Sequence, residues 1–162
     1  MIQTTQIIID DREVLAVFSR LISSAGDMTP IMADIAQALE SETERQFEAE
    51  SGPLGPWPTL APSTILERMR AGKWPGKILQ RSAGGLAASI FSGHGRDFAE
   101  VGSNKPYAAI QHFGGKAGRG RKANIPARPY FPFNPVCMTL SEGANGAILD
   151  VISDYLSQSF RP

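Results

Sequence analysis

The chain has 162 residues, of which 42% are hydrophobic and 20% charged, the size and composition of one well-cored soluble domain spanning residues 1–162. No apolar run approaches the ~20 residues that a membrane span needs, so no membrane partner is expected. The N-terminus shows no basic segment followed by an apolar one, so no secretory signal is expected. The single cysteine, Cys137, excludes an intrachain disulfide and fits a reducing compartment.

A net charge of zero conceals an uneven distribution. Residues 1–60 carry ten acids and three bases, giving −7, and the remainder carries six acids and thirteen bases, giving +7. Such a split can steer the positive part of one copy toward the negative part of another. Equally, each helix can simply carry a solvated charged face.

In chain order, the β-branched run at residues 4–9 reads as a short strand. From Asp11, Val14, Leu15, Phe18, Leu21 and Ile22 recur at helical spacing, and Gly26 marks the stop. A second helix is predicted from Thr29, as N-cap, with Pro30 at the first helical position. Its stripe is Ile31, Met32, Ile35, Ala36, Leu39 and Phe47, with glutamates mostly opposite and an end near residues 51–53. Residues 52–62, with four prolines and two glycines, exclude regular structure, and Trp57 and Leu60 are expected to tuck this loop onto the core.

Thr64-x-x-Glu67 reads as a capping box opening a short basic helix with Ile65, Leu66 and Met69 as its apolar residues. Residues 89–93 and 98–103 read as two strands joined by a hairpin-like turn. Residues 107–113 fit a strand or a helix. A second capping box is expected at Thr139-x-x-Glu142, ahead of a terminal helix with 3-4 periodicity from Ala147 to Leu156.

Between these lies the most distinctive part of the chain. An apolar-aromatic segment ends at Gly114-Gly115, and a glycine-broken basic loop with Lys116, Arg119, Arg121 and Lys122 follows. Then Pro126, Pro129, Pro132 and Pro135 recur every third residue. Each residue before a proline is pushed to extended backbone, so this piece is predicted to be an edge strand or a polyproline-type arm. The loop, with four cations, four glycines and no apolar anchor, is predicted to be mobile. Residues 101–135 contain no acid. Protein contact, contact with nucleic-acid phosphates and an idle solvated tip all remain open for the loop.

His94, His112 and Cys137 lack the paired spacing of a zinc site, and no Walker, dinucleotide or nucleophile-elbow motif is present. No metal, no cofactor and no catalysis are expected. His112 reads as an interface or core residue donating to a backbone carbonyl. Arg128, between Ala127 and Pro129 on a stiffened segment, is expected to hold an acidic residue in a bidentate grip.

Taken together, Trp57 with Leu60, I-L-Q-x-S-x-x-L-x-x-S-I at 78–90, V-G-S-N-K-P-Y-A-A-I-Q-H-F-G-G at 101–115 and I-P-A-R-P-Y-F at 125–131 resemble the phage virion morphogenesis family. These are tail-completion proteins of Mu-like and P2-like contractile-tailed phages and prophages. Gln111-His112 reverses the order usual in that family. The resemblance implies a non-enzymatic virion component, made in the host cytoplasm, that completes the tail or joins it to the head as a ring of copies. Its partners would be other copies of itself and neck, connector or tail proteins, with weak nucleic-acid contact as the alternative. The expected fold is α+β: a small, mainly antiparallel sheet packed by two N-terminal helices and a C-terminal helix, with the basic loop and the proline-rich arm. Tyr107, His112, Phe113, Lys116, Arg119, Arg121, Lys122, Arg128 and Tyr130 form the expected interface.

Overall fold

The computed structural model describes residues 27–159, so the strand expected at 4–9 and the helix expected from Asp11 lie outside the described residues. In chain order the elements are α1 (Thr29–Ala49), β1 (Ser51–Gly52), β2 (Gly55–Pro56), α2 (Pro62–Arg70), a 3-10 turn (Ala87–Ser89), β3 (Ile90–His94), β4 (Ala99–Ser103) and α3 (Ala108–Phe113). There follow β5 (Gly115–Ala117), a second 3-10 turn (Arg119–Arg121), β6 (Ala123–Ile125), β7 (Phe133–Asn134), β8 (Thr139–Leu140) and α4 (Glu142–Ser159).

Helix α1 organises the rest. Its buried residues are Ile31, Met32, Ile35, Ala36, Leu39, Thr43, Gln46 and Phe47, a stripe of helical period. Asp34, Glu44 and Glu48 face solvent. Thr43 lies inside the stripe and returns its hydroxyl to the Leu39 carbonyl at 2.8 Å, so its burial leaves no orphaned donor. The cap differs from the expected one by position and chemistry: Met28 is the N-cap, and the Asp27 carboxylate accepts the Thr29 N–H at 3.0 Å. A carboxylate suits this place because it also faces the positive end of the helix dipole.

The two halves of α1 serve two cores. Met28, Ile31, Met32, Ile35 and Leu39 pack with Ala144 and Ile152 of α4, and Ala99 and Val101 of β4 close this cluster. Phe47, one turn from the other end, joins Trp57, Leu86, Ala108 and Tyr130 in the second. Each fully buried side chain of this size contributes roughly 1.5–3 kcal/mol, so α1 has the largest hydrophobic reason to stay helical.

The strands pair as four antiparallel ribbons, β1–β2, β3–β4, β5–β6 and β7–β8. The α+β class and the antiparallel pairing agree with the sequence reading, while the pairing is divided among two-stranded units within the described residues. Strands of two to five residues, broken by proline and glycine, cannot build a continuous sheet. A lone ribbon is marginal in water, and β3–β4 leans on α1, tied to it by the Ser92 hydroxyl donating to Glu40 at 2.5 Å.

Four local expectations need correction. Residues 52–62 are not wholly irregular: Gly52 pairs with Gly55 and Ser51 with Pro56 in the β1–β2 ribbon, and Pro62 opens α2. Helix α2 begins at Pro62 with Ala61 as its N-cap, so Thr64 sits inside the first turn and the box with Glu67 does not form. Proline's preset φ starts the helix instead. Thr139 lies in β8, and Ser141 caps α4: its hydroxyl accepts the Ala144 N–H (3.2 Å) and its carbonyl the Asn145 N–H (2.9 Å). Finally, residues 114–124 are not an irregular loop but largely a ribbon, with Gly115, Lys116 and Ala117 opposite Ile125, Asn124 and Ala123. Gly118 and Gly120, at φ of 77° and 71°, turn the chain where other residues would be strained. The ambiguous segment at 107–113 is helical (α3), its start set beyond Pro106, which has no N–H to give a sheet.

Candidate functional site

The proline-rich segment is a buried strap. Arg128, Pro129, Tyr130 and Pro132 are all buried, so it is neither an edge strand nor a free arm. Prolines offer carbonyls without N–H groups, so a buried strap of this kind needs donors from elsewhere. Trp57 Nε1 donates to the Pro129 carbonyl at 2.8 Å. The Gln46 amide, oriented with its nitrogen toward the strap, donates to the carbonyls of Tyr130 and Phe131, both at 3.2 Å. The strap's own N–H groups go to α3: Arg128 N–H to the Gln111 carbonyl (2.9 Å), and those of Tyr130 and Phe131 to His112 Nδ1 (3.2 and 3.4 Å).

His112 is therefore an acceptor from the backbone, the reverse of the donation to a carbonyl expected from sequence. With Nδ1 receiving two N–H groups, the hydrogen-bond pattern assigns the ring proton to Nε2. Nε2 is buried without a hydrogen-bond partner, amid the rings of Phe113 and Phe133 (both 4.7 Å between centroids), Tyr130 (5.2 Å) and Phe131 (5.3 Å). Burial pushes the His112 pKa down to about 4, so the ring is neutral near pH 7. The Tyr130 hydroxyl donates to the Ala108 carbonyl at 3.0 Å, and burial pushes its phenol above the usual tyrosine range.

Arg128 makes the fork expected of it, but on neutral acceptors. Its Nε donates to the Pro58 carbonyl (2.9 Å) and its Nη2 to the Thr59 carbonyl (3.0 Å), so among the described residues the grip falls on the 57–60 loop and on no carboxylate. Burial, and after it the charge of Arg68, lower its pKa from the usual arginine range.

The nine residues singled out from sequence thus divide into two groups. His112, Arg128 and Tyr130 are inside this chain and hold the strap. Tyr107, Phe113, Lys116, Arg119, Arg121 and Lys122 are exposed, the four cations on the β5–β6 ribbon. Two residues escape the sequence reading: Gln46, buried on α1 and bonded to the strap, and Arg68. Arg68 is 4% exposed, while Leu66 and Met69 beside it, two of the three apolar residues read from the sequence of α2, are 54% and 53% exposed. The inversion arises because the chain after α2 folds back, and the Gly76 and Lys77 carbonyls accept from Arg68 Nη1 (3.5 and 2.8 Å). Nothing in the spacing of the helix itself signals that contact.

His94 and Cys137 are exposed, the latter with Sγ 3.0 Å from the Thr139 hydroxyl. Among the described residues no three histidine, cysteine or carboxylate side chains converge on a point, and no helix is long and apolar enough to cross a membrane.

The strap is thus held from inside the chain, while the four cations of the β5–β6 ribbon are exposed. Residues 9–157 match the phage virion morphogenesis family, and the chain belongs to that family, whose members have structural roles in phage assembly. Among its relatives is the Mu-like prophage FluMu G protein 2 of Haemophilus influenzae, 35% identical over 144 residues, covering 89% of each chain. The putative capsid assembly protein G of Escherichia phage Mu is 38% identical over 130 residues and 78% of each chain. FluMu G protein 1 of Haemophilus influenzae is 32% identical over 106 residues, 64% of this chain and 67% of the relative. No solved structure matches the chain.

Proposed function

We propose that the chain is a non-catalytic virion component that completes the tail or joins it to the head, working as a ring of copies. The observation that carries this reading is the family match over residues 9–157, nearly the whole chain. The capsid-assembly description of the phage Mu relative points to the same stage of particle building. The geometry adds a contact surface of suitable kind: Tyr107, just ahead of α3, and Phe113, at its end, expose aromatic area, and Lys116, Arg119, Arg121 and Lys122 project from the ribbon that follows. The exposed acids of α1 offer the opposite charge, so neighbouring copies have complementary faces. Neck, connector or tail proteins are the other partners, met in the host cytoplasm during assembly.

Particles assembled without this chain test the reading. Electron micrographs are expected to show heads and tails formed separately, and adding the purified chain to such a lysate is expected to restore joined, infectious particles. Complete particles in its absence would overturn the proposal, and failure to form heads at all would replace tail completion by a role in building the capsid.

A second reading gives the four ribbon cations to nucleic-acid phosphates. It predicts retention of duplex DNA by the isolated protein, falling steeply as salt is raised.

A further inference from the structure

Between α2 and the strap lies a recess of about 550 Å³ whose lining includes Arg68, Arg81 and Arg128 and, among the described residues, no aspartate or glutamate. Arg68 and Arg128 are 4% and 5% exposed, so two guanidinium groups are withdrawn almost wholly from water. Among the described residues the side-chain hydrogen bonds of both go to neutral backbone carbonyls, of Gly76 and Lys77 for Arg68 and of Pro58 and Thr59 for Arg128. Arg68 Nε is buried without a partner. Arg81, at the edge, is already engaged, its Nη2 2.8 Å from Glu67 Oε1.

Withdrawing a charge from water without a counter-ion costs several kcal/mol. Here burial, and after it the like charge of Arg68, depress the pKa of Arg128. An incoming anion would be received by both. The remaining walls narrow the choice of anion, since Leu60, Leu79, Leu86 and Ile125 make the recess partly apolar. A methylene stem ending in a charge suits such walls. The phosphates of a duplex, arrayed along a rod broader than the recess, do not.

We propose that this recess is a docking site for one aspartate or glutamate side chain presented by a neighbouring chain, with Arg68 and Arg128 supplying the positive charge. The proposal rests on the assembly reading only for which chain presents the carboxylate. Binding of the carboxylate itself does not depend on it.

The test uses the full-length protein with ¹⁵N-labelled arginine, following the Nε–H resonances of Arg68 and Arg128. N-acetyl-glutamate amide, N-acetyl-glutamine amide and inorganic phosphate are titrated separately at constant ionic strength. The glutamate derivative is expected to shift both resonances saturably, phosphate more weakly and the glutamine derivative not at all. Replacing either arginine risks the fold, so the decisive variant is Thr64→Glu. Thr64 lines the recess from α2, and glutamate is a better helix former than threonine. This variant provides the carboxylate from within, and is expected to weaken the titration at least tenfold and to raise Tm. An equal response to the glutamine derivative, tighter binding of phosphate, no response to any probe, or unchanged binding by Thr64→Glu would each overturn the proposal. A protein that fails in particle assembly yet binds the carboxylate would leave the recess standing and refute the tail-completion reading alone.

Discussion

At the scale of single residues, His112 links the chemistry of the fold to pH. Its pKa is about 4 in the fold and near 6.5 when the chain unfolds, so the unfolded state takes up the proton first as pH falls. The neutral ring contributes its full stability above about pH 6.5, and that contribution falls away between about 6.5 and 4, by about 3 kcal/mol in all. Denaturant midpoints measured across this range should drop accordingly, and His112→Asn, though less stable at neutral pH, should show a flatter profile. An unchanged midpoint between pH 7 and 4.5 would contradict the buried acceptor role. Arg128 makes a second prediction. Lysine cannot give both the Nε and Nη2 bonds at once, so Arg128→Lys should destabilise by about 1–3 kcal/mol, close to the effect of Arg128→Ala. Wild-type stability for the lysine variant would show that charge alone holds the 57–60 loop. The sequence marks both residues as special through the strings around them, but not as interior. Their partners are backbone groups of segments 18 or more positions away, and a backbone carbonyl or N–H leaves no trace in residue identity.

At the scale of elements, what could be read depended on whether the element's reason for existing was local. Helix α1 was readable because its buried stripe is periodic, and Trp57 because a large aromatic in a proline-rich loop has nowhere else to go. The strap misled because its proline spacing fixes an extended backbone but says nothing of what covers it. The β5–β6 ribbon misled because cations and glycines look like a loop unless the cross-strand pairing of Ala117 with Ala123 is known. The tightest joint between elements is the approach of β1 to the strap, where a Cβ added at Gly52 would stand 2.0 Å from the Pro129 carbonyl oxygen. That oxygen also receives the Trp57 indole, so it cannot move aside without breaking the bond. Gly52→Ala should therefore cost about 2–4 kcal/mol and lower Tm by several degrees. A control alanine at Gly146, where an added Cβ meets nothing within 4 Å, should instead leave Tm unchanged or raise it slightly by favouring α4. Equal effects at the two glycines would mean that the strap can shift away from β1.

At the scale of the whole molecule, an exposed acidic group and an exposed basic group stand on two different elements. Asp34, Glu44 and Glu48 stand on the exposed side of α1, while Lys116, Arg119, Arg121 and Lys122 stand on the β5–β6 ribbon. Pairing them within one copy would be worth little, since exposed ion pairs contribute at most about 1 kcal/mol. Between copies the same charges act together, steering encounter and rejecting the wrong face. If they drive self-association, raising ionic strength from about 0.05 M to about 0.5 M shortens the screening length from ~14 to ~4 Å and should shift the sedimentation profile toward monomer. Glutamine at all four ribbon cations should abolish that salt dependence without lowering Tm appreciably, because exposed surface substitutions seldom change stability by more than about 0.5 kcal/mol. Association that is unchanged or tighter in high salt would assign the contact to apolar area instead, with Tyr107 and Phe113, 42% and 51% exposed, as the first residues to replace. In that outcome Phe113→Ser should disperse the assembly, while the ribbon variant should leave it intact.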